Sequence, residues 1–196
     1  VREPQFLGLS TGRAGSRYLA EQLNAIGIGC VHEVTRTPPQ WRQTRDIIGE
    51  VSAQLVVATK SFWPNAHVIH FYRHPAHCVA GLLEFGFWRK TVGTIHPHLA
   101  DPSGDILADT YRYWLDWNLR IMALPNPATR FRIEDTCAAE LYSVAKDMDV
   151  TALNPELVQV TLYVETREPA PPPPESVRAE VIVLAEEMGY DTQCLR

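Results

Sequence analysis

The stretch Phe6-Leu7-Gly8-Leu9-Ser10-Thr11-Gly12-Arg13-Ala14-Gly15-Ser16-Arg17-Tyr18-Leu19 constrains this chain more than any other. It reads as an apolar strand, a turn rich in glycine and hydroxyl groups, and the start of a helix. Gly12 and Gly15 let the backbone adopt angles other residues avoid and let a ligand come close. Ser16 can cap the helix that follows. Amides at a helix start have no intrahelical acceptor, and together with the helix dipole they favour an anion. Arg13 and Arg17 add charge and forked donors suited to phosphate or sulfate oxygens. The physical reading is an oxyanion cradle. The stretch is not a Walker A loop, because no Gly-Lys-Ser/Thr stands at the required offset, and it supplies only the second half of G-x-G-x-x-G. A tight strand-to-helix turn with no ligand explains the same residues, since such turns are common in α/β proteins.

The totals narrow the partners. At 196 residues the chain suits one domain, 1–196, with a full core. The net charge of −5 argues against a nucleic-acid partner, so an anion site must be locally basic on an acidic protein. Cys30, Cys78, Cys137 and Cys194 are scattered without a C-x-x-C pair, which fits reduced thiols in a cytoplasmic protein and gives no zinc site. No apolar run approaches the ~18 residues of a membrane span. The N-terminus shows no signal-peptide pattern, and the absence of an initiator Met suggests processing.

Strands and helices alternate along the chain. Residues 5–10 predict a buried parallel strand, and Gly15 to Ala25 a helix with Tyr18, Leu19, Leu23 and Ile26 on one face. Ile28 to Val31 predicts a second strand with His32 and Glu33 at its carboxyl end, the edge where open α/β sheets bind ligands. A surface dipeptide is the plainer reading of that pair. Pro38-Pro39 opens a helix ending near Gly49, and β-branched residues 51–59 read as a strand, a short helix being the alternative. His67 to Tyr72 is the clearest strand. It runs into Arg73-His74-Pro75 and a helix to about Phe87, with Cys78, Val79, Leu82, Leu83 and Gly86 inward. Arg73 is thus a second arginine at a strand-to-helix turn, either an anion contact or a surface ion pair. His74 with His77, and His96 with His98, lack a third ligand and are not read as a metal site.

Residues 89–104 have loop composition and are long enough to shape a substrate pocket. Asp105 to Met122 predicts a helix whose aromatic residues belong to the core. Thr129 to Ile133 predicts a strand, and Glu134-Asp135 a helix to about Met148. The proline-rich stretch 169–174 reads as an extended internal spacer before a last helix from Glu175 to Met188. The alternation gives an α/β fold with a mainly parallel central sheet flanked by helices.

Thr11-Gly12-Arg13-Ala14-Gly15-Ser16-Arg17-Tyr18-Leu19 resembles the 5′-phosphosulfate-binding loop of sulfotransferases. Val68-Ile69-His70-Phe71-Tyr72-Arg73-His74-Pro75, with its helix, resembles their 3′-phosphate-binding strand and helix. Tyr113-Trp114-Leu115-Asp116-Trp117-Asn118, Phe131-Arg132-Ile133-Glu134-Asp135 and Met188-Gly189-Tyr190 resemble further segments of small bacterial members. Each motif is loose alone, and the specificity lies in their joint order over residues 6–191. The resemblance implies a three-layer, P-loop NTPase-like fold. It also implies 3′-phosphoadenosine 5′-phosphosulfate (PAPS) as sulfuryl donor, with no metal. Gly12, Arg13, Ala14, Gly15, Ser16 and Arg17 fall on the phosphosulfate loop, and Arg73 on the arginine that binds the 3′-phosphate. Eight residues further on, where the family has a serine, this chain has Gly81, a lost hydroxyl donor worth about 1 kcal/mol.

Glu33 or His32 falls where several members place the catalytic base, with Glu33 the first choice. Transfer to a hydroxyl or amine needs a base on the acceptor proton and an in-line approach. Arg13 and the amides of residues 14–17 would meet charge on the bridging and sulfuryl oxygens. Ser52 and Lys60 are weaker candidates for site contacts. Trp63, Phe85, Phe87 and Trp88 either line an acceptor pocket or belong to the core. The acceptor is a small molecule or glycan-like compound that the sequence does not name. Two other readings stand: a nucleotide-binding protein without turnover, and a kinase-like phosphotransferase, which would need a Walker lysine and an acidic Mg²⁺ ligand.

Overall fold

Short apolar runs bounded by glycine and proline build the sheet. The computed structural model describes residues 3–33, 48–86, 103–126, 128–135, 141, 144, 146 and 167–196. Five strands, β1 (Phe6–Leu9), β2 (Cys30–His32), β3 (Gly49–Val51), β4 (His67–Tyr72) and β5 (Ala128–Arg132), form one parallel sheet in the order β2-β3-β1-β4-β5. The described helices are α1 (Ser16–Ala25), α2 (Val56–Phe62), α3 (Pro75–Glu84), α4 (Ile106–Met122) and α5 (Glu175–Glu187). The architecture is therefore α/β with a five-stranded parallel sheet and helices between the strands. β1 lies between β3 and β4, with Leu9 level with His70. From β1 the chain goes first to β2 and β3 on one side, then to β4 on the other. The carboxyl ends of β1 and β4 therefore flank a reversal of strand order, the place such sheets reserve for ligands.

The described residues gather into two compact units. The first comprises those within Val1–Ser10, Ala14–Tyr72 and Arg120–Val164, and the second those within Thr11–Arg13, Arg73–Leu119 and Glu165–Arg196. In the first, α1 buries Leu19, Ala20 and Leu23 with Phe6, Val51, Ile69, Phe71, Phe131 and Ile133. Gly49 is required by packing, because a Cβ there would meet the Phe6 ring at 2.2 Å. Asn24 ties α1 to β2. Its Nδ2 donates to the carbonyls of Ala20 and Cys30, and its Oδ1 accepts from the Cys30 amide. In the second unit Tyr111, Tyr113, Trp114 and Trp117 of α4 are fully buried, as their helical spacing predicts. Asp105 accepts from the Ala108 amide at 3.0 Å, which caps α4 and places its first residue at Ile106. The proline run is tied down within this unit. Tyr111 Oη donates to the Pro171 carbonyl, Arg178 Nε to the Pro173 carbonyl, and the Ala170 amide to the Ala76 carbonyl.

Two expectations change. The strand predicted over 51–59 ends at Val51, and helix α2 follows. Ser52 Oγ accepts from the Gln54 amide and turns the chain. Thr59 Oγ1 then donates to the Leu55 carbonyl, so β-branched composition yields to local hydrogen bonding. The second strand is shifted to Cys30–His32, which makes His32 its last residue. The helix expected from Pro38-Pro39 to near Gly49 and the loop 89–104 lie outside the described residues, save that Ile48 is not helical, that Gly49 opens β3 where the helix was expected to end, and that 103 and 104 are described. Of the helix expected over 134–148, Ile133–Asp135 is a 3₁₀ turn and residues 141, 144 and 146 are helical.

Candidate functional site

In the first unit the helix start is built around Gly15, the N-cap of α1, at φ 99°. A left-handed angle there is open to glycine and costly for most other residues. Ser16 is therefore the first helical residue and not the cap. Its Oγ lies 2.8 Å from His32 Nε2, a hydrogen bond between the first turn of α1 and the end of β2. The Leu19 amide donates to the Gly15 carbonyl, which leaves the amides of Gly15, Ser16 and Arg17 outside the intrahelical ladder. Arg17 is exposed on the first turn. Ala14 is fully buried in the core, so its methyl anchors the turn and only its backbone can serve a ligand. Glu33 is exposed with φ 50°, and its amide donates to the Val51 carbonyl at 3.1 Å. Ser52 is buried, its amide bonded to the Gly8 carbonyl. Trp63 is a core residue, 5% exposed.

In the second unit Arg73 is 2% exposed, and its Nη1 donates to the Arg13 carbonyl at 3.0 Å. Its own carbonyl accepts from Trp114 Nε1 at 3.2 Å. Arg13 is exposed at φ 66°, and its guanidinium lies 5.4 Å from the centre of the Phe85 ring. The Gly12 amide donates to the Tyr113 hydroxyl at 3.1 Å. Cys78 Sγ donates to the Gly12 carbonyl and lies 3.2 Å from Thr11 Oγ1. A Cβ at Gly81 would come to 3.0 Å from Arg167 Nη1 and 3.2 Å from Arg13 Cβ, so both arginine side chains border this position. His74 caps α3, its Nδ1 accepting from the Ala76 amide, and its ring packs edge-on against His77 and Tyr190.

The structure thus brings Ser16 and His32 together in one unit, and Arg13, Arg73 and Gly81 together in the other. Among the described residues Arg13 and Glu33 are the two non-glycine residues at positive φ. Such angles cost on the order of 1 kcal/mol or more each and persist where the surroundings enforce them. Sequence reasoning named Tyr113 and Cys78 without foreseeing their bonds to Gly12, and it did not single out Arg167. The spacing of Cys78 after Pro75 predicts burial but not its bond to the turn, and Arg167 carries no signal. The side chain of Lys60, and Phe87 and Trp88, lie outside the described residues. Among the described residues no group of three or more His, Cys, Asp or Glu side chains gathers to hold a metal ion. Among them also, no helix is long and apolar enough to cross a membrane.

No family model matches the chain, and no curated protein matches it. Among solved structures the chain is similar to a sulfotransferase from Alicyclobacillus acidocaldarius, at 13% identity over 97% of this chain and 98% of that one, with a TM-score of 0.49.

Proposed function

We propose that this chain is a sulfotransferase that moves a sulfuryl group from PAPS to a hydroxyl or amine of a small-molecule or glycan-like acceptor. The observation that carries the reading is the hydrogen bond from Arg73 Nη1 to the Arg13 carbonyl. It joins the two arginine-bearing turns that the resemblance assigns to one nucleotide. The residues suit such a group. Arginines and helix-start amides concentrate positive potential on an acidic chain, and the left-handed Gly15 leaves the turn without a side chain.

When bound, PAPS would supply an activated sulfuryl group, with the phosphate oxygen as its leaving group, for transfer to the acceptor oxygen or nitrogen. Arg13, Arg17 and the amides of Gly15 to Arg17 hold the anionic oxygens and offset the charge that grows on the leaving phosphate. Glu33 takes the acceptor proton. Its exposed carboxylate is open to a substrate, whereas His32 Nε2 is engaged with Ser16 and positions that hydroxyl. Arg73, nearly excluded from solvent, holds the turn from behind through the Arg13 carbonyl and adds its charge to the 3′-phosphate side.

Calorimetric titration with 3′-phosphoadenosine 5′-phosphate, ADP and ATP, with and without Mg²⁺, tests the reading. Metal-independent preference for the 3′-phosphorylated nucleotide is expected. In an acceptor screen Glu33→Gln should keep that binding and lose turnover by about 10²- to 10⁴-fold. Preference for ATP with Mg²⁺ would turn the reading to phosphoryl transfer. Binding without turnover of any acceptor would leave a nucleotide-binding protein, and no nucleotide binding would end the proposal.

A further inference from the structure

Glycine is a poor helix former, so Gly81 inside α3 calls for a cause. Two arginine side chains border it closely. A Cβ at 81 would lie 3.0 Å from Arg167 Nη1 and 3.2 Å from Arg13 Cβ. Arg167 runs along the same helix face, and its Nε meets Glu84 Oε2 at 2.7 Å, one turn beyond Gly81. On the next residue the Arg13 guanidinium covers the Phe85 ring. One face of α3, Gly81, Glu84 and Phe85, therefore carries two guanidinium groups whose like charges repel. The Glu84 carboxylate supplies a negative charge against them. It does so from an exposed position, its side chain 65% accessible and that of Arg167 31%.

We propose that the Arg167–Glu84 pair is a resting latch on an anion site. Arg167, beside Arg13 at Gly81, takes phosphate oxygens of the bound nucleotide, and Glu84 holds the guanidinium until the ligand displaces it. An exposed carboxylate is a weak partner for arginine. A phosphate monoester brings up to two charges and three oxygens to the same planar fork, and wins the exchange. The missing Cβ at Gly81 lets Arg167 Nη1 approach the helix backbone more closely than a larger residue would allow. The proposal rests on the nucleotide-binding reading above and adds to it a residue and a competitor within the chain.

The test is calorimetry on the full chain with 3′-phosphoadenosine 5′-phosphate and adenosine 5′-monophosphate as probes, using Glu84→Gln, Arg167→Lys and Arg167→Ala. Releasing the latch in Glu84→Gln should tighten the bisphosphate by about two- to five-fold, the factor an exposed ion pair sets. Arg167→Ala should weaken it by about ten-fold or more, the loss of a charge-assisted contact, with Arg167→Lys between. Removing the Glu84 charge also raises the local potential, so the decisive comparison is Glu84→Gln with Glu84→Gln/Arg167→Lys: a gain that shrinks when Arg167 is replaced belongs to the latch, and an equal gain in both backgrounds overturns it. Unchanged or weaker binding in Glu84→Gln, with the wild type still binding the bisphosphate, overturns the latch and leaves the nucleotide reading standing. If the wild type binds neither probe, both fall together.

Discussion

Replacing Gly15 with alanine should lower the stability of the whole molecule through one backbone angle. Gly15 stands at φ 99° as the N-cap of α1. Placing an L-residue in left-handed conformation costs about 1–2 kcal/mol. The new Cβ would also lie 3.0 Å from Ile133 Cγ1, whose side chain is fully buried and must shift by a few tenths of an ångström. Alanine narrows the unfolded ensemble, which returns about 0.4–1 kcal/mol. With the strain against Ile133 added, the net loss is about 1–2 kcal/mol, which for a chain of this length is a fall of about 2–8 °C in melting temperature. Thermal unfolding followed by far-ultraviolet circular dichroism reads it directly. Gly15→Asn is the discriminating control. Asparagine also has a Cβ to meet Ile133, but it tolerates left-handed angles better. It should melt above Gly15→Ala and below the wild type. If the two variants melt together, contact with Ile133 and not the angle is responsible. If Gly15→Ala melts with the wild type, the turn does not need its glycine and the reasoning fails.

Two further outcomes bear on stability. Asn126 Nδ2 donates to the carbonyls of Trp63, Pro64 and Ala66 at 2.9, 3.2 and 2.9 Å, so Asn126→Leu should cost about 2–3 kcal/mol in urea unfolding, and a loss under 0.5 kcal/mol refutes that role. Burial pushes the Cys30 thiol up to about 12, so its contribution is intact below the unfolded value near 8.5 and is lost as pH rises toward 12, by at most on the order of 4 kcal/mol. Tyr111, raised by burial as well, acts in the same direction. Unfolding free energies at pH 8, 9.5 and 11 should fall more steeply in the wild type than in Cys30→Ala, and parallel slopes would show that Cys30 does not set the alkaline limit.

What the sequence disclosed follows the range of the interactions involved. The strand-turn-helix of residues 6–25 is written in local terms, namely an apolar run, glycines at the bend and helical spacing after it, and it stands where those terms place it. The parallel sheet is equally readable, because alternating strands and helices leave few other arrangements. Ser16 shows where local reasoning stops. Its position before an apolar helix suits a cap, but Gly15 takes the left-handed cap angle, and the Ser16 hydroxyl meets His32 sixteen residues away. Nothing near Ser16 encodes that partner, which Asn24 helps to position by fixing β2 against α1. The turn that replaces the expected strand at 52–55 is a similar case, in which one serine hydroxyl outweighs a run of β-branched residues.

Gly81 carries the same lesson further. From the sequence it is a missing hydroxyl, a donor subtracted from a phosphate site. In the fold it is also a border with Arg167, which reaches it from eighty-six residues along the chain. A sequence states which groups are present, whereas the volume left by an absent one belongs to whichever segment the fold delivers there. Gly81→Ser separates these views. If 81 lacks only a donor, serine should strengthen nucleotide binding. If Arg167 needs that space, the new Cβ, 3.0 Å from Nη1, should shift the guanidinium by a few tenths of an ångström, and binding should stay level or weaken even though a hydroxyl has been gained.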